Sequence, residues 1–221
     1  MTEFDGGIKI GESLLHRPEQ WLIGKLVTKV PRFIRSHHLT LATIPVSAGI
    51  VLFSFLARGN DAWLWGVSVL IAVQWFTDSL DGAVGRYRKE GLVRWGYYMD
   101  HFLDYIFLAS VMTGYMILLP DHYKYLEFFV LAIFGGFMIN SYLALSSTGR
   151  FRINHLGIGP TEIRLVFILV NTMLTIFGRT YLYFATPYVL GLSAVALAFV
   201  VYRTQREIWA LDMDDINKRD R

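Results

Sequence analysis

The 221-residue chain is 54% hydrophobic and 15% aromatic with only 18% charged residues, too apolar for an ordinary soluble domain of this length and suited to a bilayer as solvent. With no cysteine it has no disulfide, no thiolate chemistry and no cysteine-ligated zinc. A formal charge of +3 is what loops facing an anionic leaflet require, so nucleic acid is not an expected partner.

Residues 1–36 are charged throughout and lack a compact apolar core before a small-residue cleavage site, so a cleaved signal peptide is not expected. Between residues 17 and 35, Leu22, Ile23, Leu26, Val27, Val30, Phe33 and Ile34 recur at helical spacing opposite Lys25, Lys29 and Arg32. This pattern predicts an amphipathic helix at the cytoplasmic membrane surface, begun near Pro18 and ended or kinked by Pro31, serving as an anchor more readily than as a substrate contact. His37, His38 and Thr40 follow, placed either to cap the interface or to touch a nucleotide.

Apolar stretches then cover residues 39–57, 62–77, 102–119, 128–149, 165–178 and 180–202. They predict an all-α integral membrane bundle of six transmembrane helices, the second and fifth borrowing flanking residues to reach the roughly 20 a span needs. Six spans divide the 21 Lys and Arg so that 18 lie on one side and only Arg58, Lys124 and Arg179 on the other. Basic residues stay in the cytoplasm, so both termini are expected there. The chain thus reads as a cytoplasmic segment over 1–38, a transmembrane catalytic domain over 39–203 and a cytoplasmic tail over 204–221, the last a solvated helix end with no chemistry assigned.

The chemistry-bearing residues run from the end of the second span into the third: Asp78, Asp81, Gly82, Gly85, Arg86, then Gly96, Asp100 and Asp104. On a helix Asp78 and Asp81 share one face, and Asp100 and Asp104 share another. Four carboxylates at the cytoplasmic ends of apolar helices repel one another unless cations are bound. Hard oxygen ligands suit Mg2+ or Mn2+, and a pair of ions about 4 Å apart is the usual arrangement for phosphoryl transfer. Gly82 and Gly85 allow a nucleotide or a neighbouring helix to approach the backbone. The competing reading is a solvated loop neutralised by Arg86, Arg88, Lys89 and Arg94; the glycine and arginine register weighs against it. His101 points about 100° from Asp100 on a helical wheel and reads as a packing or hydrogen-bonding residue. Arg150, Arg152, His155 and Arg164 cluster around the fourth and fifth spans, where they either bind an acceptor phosphate or are ordinary positive-inside charge. Glu162 and Arg164 are two apart and are not expected to pair.

These residues resemble the CDP-alcohol phosphotransferase family, whose signature is D-x2-D-G-x2-A-R, a spacer, then G-x3-D-x3-D. Here it reads Asp78, Asp81, Gly82, Gly85 and Arg86, then Gly96, Asp100 and Asp104, with Gly85 in place of the usual alanine. The resemblance implies a metal-assisted transferase active at the cytoplasmic face. Asp78, Asp81 and Asp100 would bind metal, and Asp104 would both lie near the metals and act as general base on the acceptor hydroxyl. Asp78, Gly82, Gly85, Arg86 and Gly96 would face the nucleotide and diphosphate. A CDP-diacylglycerol donor with a small polar alcohol is the expected substrate pair, and a homodimer the expected assembly. The run Asp100, His101, Asp104 also resembles the aminoalcohol phosphotransferases, which use CDP-choline or CDP-ethanolamine with diacylglycerol. From other classes, a divalent cation transporter would gather acids at mid-membrane, and an aspartate-rich prenyltransferase would draw them from two separate loops. A non-catalytic scaffold would leave cellular lipids unchanged when the acids are replaced.

Overall fold

The computed structural model describes residues 8–9, 15–151 and 159–219. They are almost entirely helical: α1 His16–Leu26, α2 Ser36–Leu41, α3 Thr43–Ala57, α4 Trp63–Arg88, α5 Val93–Leu118, α6 Lys124–Thr148, α7 Pro160–Phe177 and α8 Thr180–Arg219. Apart from a 3-10 turn at Val27–Lys29, the other regular element among the described residues is a two-residue parallel pairing of Ile8–Lys9 with Arg150–Phe151.

Five helical stretches are long and apolar enough to cross a membrane: α2 with α3 as Ser36–Ala57, then α5, α6, α7 and α8. The chain is a multi-pass membrane protein. Its exposed side chains fit that solvent, with Phe55, Leu143, Leu169, Leu192 and Val195 all directed outward. The sixth expected span, α4, is 26 residues long but carries Gln74, Asp78 and Asp81 on its interior, which lowers its apolarity below that of the other five.

Helices α4 and α5 run well past the apolar stretches that announce them. The connection between them is only residues 89–92, so both acid pairs lie on helices as their spacing predicts, and the other signature positions are helical too. Lys89 ends α4 in the left-handed conformation (φ 54°), and the Glu90 amide returns to the Gly85 carbonyl at 3.1 Å, closing the helix with Gly91 (φ 76°) next in line. The core is formed where α3, α4, α5 and α7 meet, around Ile50, Leu64, Ile71, Val111, Met112 and Leu174. Small residues bring these helices close: a Cβ on Gly66 would stand 2.6 Å from the Phe53 ring.

The N-terminal helix forms over His16–Leu26, shorter than the 17–35 periodicity predicts because a 3-10 turn takes over at Val27 ahead of Pro31, and Phe33, expected on its apolar side, is exposed; the helix itself turns its apolar side into the protein. Ile23 and Val27 are buried and α1 packs on α4, while Arg17, Trp21, Lys25 and Lys29 stay outside, with the Lys25 ammonium 3.7 Å above the Trp21 ring.

Candidate metal and phosphate site

Asp78 lies ten residues before the end of α4, and Asp100 and Asp104 lie in the first half of α5. Helices α4 and α5 both pack on α3, and one carboxylate oxygen from each of the three acids lies within 4.8 Å of the others. Opposite ligands of a magnesium ion stand about 4.2 Å apart, so an oxygen-only group of this size fits a small hard cation after slight adjustment. The three side chains keep 20%, 33% and 25% exposure for Asp78, Asp100 and Asp104, which leaves the cluster open to an entering ion.

Asp81 is separate from this group. It is buried, accepting the Thr40 hydroxyl at Oδ2 (2.6 Å) and the Gly82 amide at Oδ1, so both oxygens already have donors. Thr40 therefore acts on a carboxylate in the structure. The neighbouring His38 accepts the Arg35 amide at Nδ1 (3.2 Å), an interfacial cap, and His37 lies against Trp95 with ring centroids 6.3 Å apart.

Arg164 occupies a different place from the one its sequence neighbours suggest. It is buried on the second turn of α7, and one terminal nitrogen donates to Asp78 Oδ2 (2.9 Å) and Asp104 Oδ1 (3.1 Å). Its Nε is buried with no hydrogen-bond partner, and its guanidinium lies 5.6 Å from the Phe107 ring centre. Three carboxylates thus face one guanidinium. Arg152 and His155 lie outside the described residues, and of Arg150 only the backbone is described. Glu162 does not pair with Arg164: its two oxygens accept the Leu15 amide (3.0 Å) and the Gly159 amide (2.9 Å), the second closing the first turn of α7 behind Pro160.

The signature glycines differ in their surroundings. The Arg86 guanidinium lies over Gly82, 3.1 Å from where a Cβ would stand, whereas Gly85 faces Ser36 at an ordinary 3.5 Å and Gly96 has open space. His101 packs between Tyr97 and Tyr142, with centroids at 4.4 and 5.5 Å, as a packing residue would.

Gln74 joins the cluster unannounced by the signature. Fully buried one turn before Asp78, it donates to Asp78 Oδ1 at 3.4 Å and also meets the Asp104 carboxyl. A lone amide inside an apolar helix four residues from an acid was a legible signal, because such a group needs a buried polar partner.

Residues 35–206 match the family described as CDP-alcohol phosphatidyltransferase. The chain is also 28% identical over 108 residues to the inner membrane protein YnjF of Escherichia coli (strain K12), across 49% of this chain and 46% of that protein. That match spans about half the length of the curated relative. No solved structure matches the chain.

Proposed function

The chain belongs to the CDP-alcohol phosphatidyltransferase family, an enzyme family, and on that premise we propose that it moves the phosphatidyl group of CDP-diacylglycerol to the hydroxyl of a small polar alcohol, releasing CMP. The observation that carries this reading is the meeting of Asp78, Asp100 and Asp104 from successive helices beside a buried arginine.

Asp78, Asp100 and Asp104, with Asp81 released from Thr40, would hold Mg2+ or Mn2+, expected as a pair. Bound there, the ions would neutralise the diphosphate and stabilise charge on the departing nucleotide. Asp104 accepts the proton of the acceptor hydroxyl. The acceptor oxygen forms its bond to the phosphorus bearing the lipid, and the bond from that phosphorus to CMP breaks with the electron pair leaving on CMP, in line with the attack. Arg86 contacts phosphate from above Gly82, and the open backbone at Gly96 admits the nucleotide alongside Gly82 and Gly85. For the acceptor, the basic group of Arg150, Arg152, His155 and Arg164 is the proposed phosphate-binding set; of these the described side chain is Arg164, whose buried Nε has no hydrogen-bond partner, and that supports a role in binding an anion.

We further place α4 as a sixth span. At about 1.5 Å per residue its 26 residues reach about 39 Å, enough to cross the hydrocarbon, and it packs between α3 and α7. Both termini and the acid cluster then lie on the cytoplasmic side, and a homodimer is the proposed assembly. Reporter fusions at the two ends check the topology: opposite-side signals would remove the sixth span.

Purified protein given radiolabelled CDP-diacylglycerol and a panel of inositol phosphate, glycerol phosphate and unphosphorylated alcohols should release CMP only with Mg2+ or Mn2+ and a matching acceptor. CMP release from CDP-choline with diacylglycerol, and none from CDP-diacylglycerol, would overturn the donor assignment.

A further inference from the structure

The first helix lies outside residues 35–206, yet it reaches the signature directly. Glu19, half-buried on α1, accepts the Ser79 hydroxyl at Oε1 (2.7 Å) and the Thr161 hydroxyl at Oε2 (2.9 Å). Ser79 stands between the signature acids Asp78 and Asp81 on α4. Thr161 is in the first turn of α7, three residues before Arg164. A single carboxylate therefore ties together the two helices whose side chains meet in the Arg164–Asp78 ion pair. The Leu15 amide, one residue ahead of α1, fastens the same turn of α7 through Glu162 (3.0 Å).

We infer that Glu19 is a positioning residue for the transferase site, and that α1 is a strap setting the spacing of α4 and α7 at their acid-bearing ends. Three features carry this. Both oxygens of Glu19 are used, on partners 60 and 142 residues away in sequence, so the contact is tertiary and not a local turn. Ile23, four positions on in α1, and Val27, in the 3-10 turn that follows, are both buried, and helix and turn alike pack on α4, so the segment is held against the bundle beyond Glu19 itself. Each oxygen accepts from a different hydroxyl, at 2.7 and 2.9 Å, so one side chain fixes the direction as well as the distance of both partners. A surface anchor alone needs none of these.

The inference rests on the transferase reading for its effect on turnover, but not for its geometry. Because the chain has no native cysteine, two can be introduced without background. Spin labels on Tyr87→Cys in α4 and Ile163→Cys in α7, both exposed sites, report the separation of the two helices. Glu19→Ala should broaden that distance distribution, and Glu19→Gln, which keeps one acceptor oxygen, should restore most of its sharpness. Turnover of CDP-diacylglycerol should fall about tenfold in Glu19→Ala with the donor KM changed less than about twofold, as displacement of supporting groups does, and recover in Glu19→Gln. If Glu19→Ala fails to fold, Ser79→Ala and Thr161→Val each remove one arm of the bridge and should each broaden the distribution. Distributions as narrow as wild type in these variants would overturn the strap. Inactive wild-type protein, with the distance response intact, would overturn the transferase reading and leave the strap standing.

Discussion

At one end of the bundle Arg179 faces Asp61; at the other, Arg164 faces Asp78 and Asp104 with Asp100 alongside. Arg179 reaches Asp61 Oδ1 through Nε (2.8 Å) and a terminal nitrogen (2.5 Å), and that nitrogen also donates to the carbonyls of Ala57 and Arg58, closing the C-terminus of α3. One acid meets one base, and surplus donors go to orphan carbonyls. Arg164 is outnumbered by acids and keeps a buried nitrogen unpaired. The matched pair is a clamp that is complete as it stands. The unmatched cluster leaves negative charge in a half-buried place, an arrangement that calls for a cation.

The comparison can be broken most sharply by removing one acid from each end. Asp104→Asn should lower turnover by about a hundredfold or more, the usual contribution of a positioned general base, whereas Asp61→Asn should leave it within about twofold. Equal losses would erase the distinction. The two arginines should separate next. Arg164→Ala should raise the KM for a phosphorylated acceptor by about tenfold, and Arg164→Lys should recover little of it because the fork is lost. Arg179→Ala should leave KM unchanged and lower stability by about 1–3 kcal/mol, read by thermal melting, since it leaves Asp61 and helix-end carbonyls without their donor.

A smaller effect is expected from Glu90, in the short connection between α4 and α5. Its limited desolvation would raise its pKa, but the Ser36 hydroxyl (2.7 Å) and amide (3.0 Å), with Arg88 and Arg35 nearby, outweigh that and hold it below the ordinary value of 4.5. A carboxyl depressed on folding stabilises the fold above its unfolded pKa, and that contribution is lost as pH falls through the folded value. Melting temperature should therefore fall more steeply in wild type than in Glu90→Gln as pH drops below the ordinary value of 4.5. The smallest change should come from Gly85→Ala, which restores the residue usual in the signature. The added Cβ would meet Ser36 at an ordinary 3.5 Å, so melting temperature and turnover should both stay close to wild type.

Much of the site was legible because its residues are few and their register is strict. Asp78, Asp100 and Asp104 meet as the helical spacing of each pair allows, and the glycines and Arg86 follow on the same helix. Helix ends were less legible, since apolar windows stop at the first charge while hydrogen bonding does not: α4 runs to Arg88, α5 starts at Val93 and α8 continues to Arg219. Asp81 shares the face of Asp78 by its spacing of three, but its carboxylate is taken up by Thr40, a partner on α2 that spacing within α4 does not show. Long-range contacts were the hardest to read. By sequence Arg164 reads as one of a cationic group open to an acceptor phosphate or to ordinary positive-inside charge, and only the packing of α7 on α4 shows it between Asp78 and Asp104. Glu19 gave no local sign of its partners, because they are supplied by helices far along the chain.

Titration of the purified protein with Mn2+, followed by the electron paramagnetic resonance signal of the free ion, tests most directly whether the three carboxylates form a metal centre. Wild-type protein should deplete the free-ion signal, Asp61→Asn should do so equally, and a double Asp100→Asn, Asp104→Asn variant should lose that binding. Mn2+ uptake that is the same with and without Asp100 and Asp104, or absent from folded wild-type protein, would contradict it.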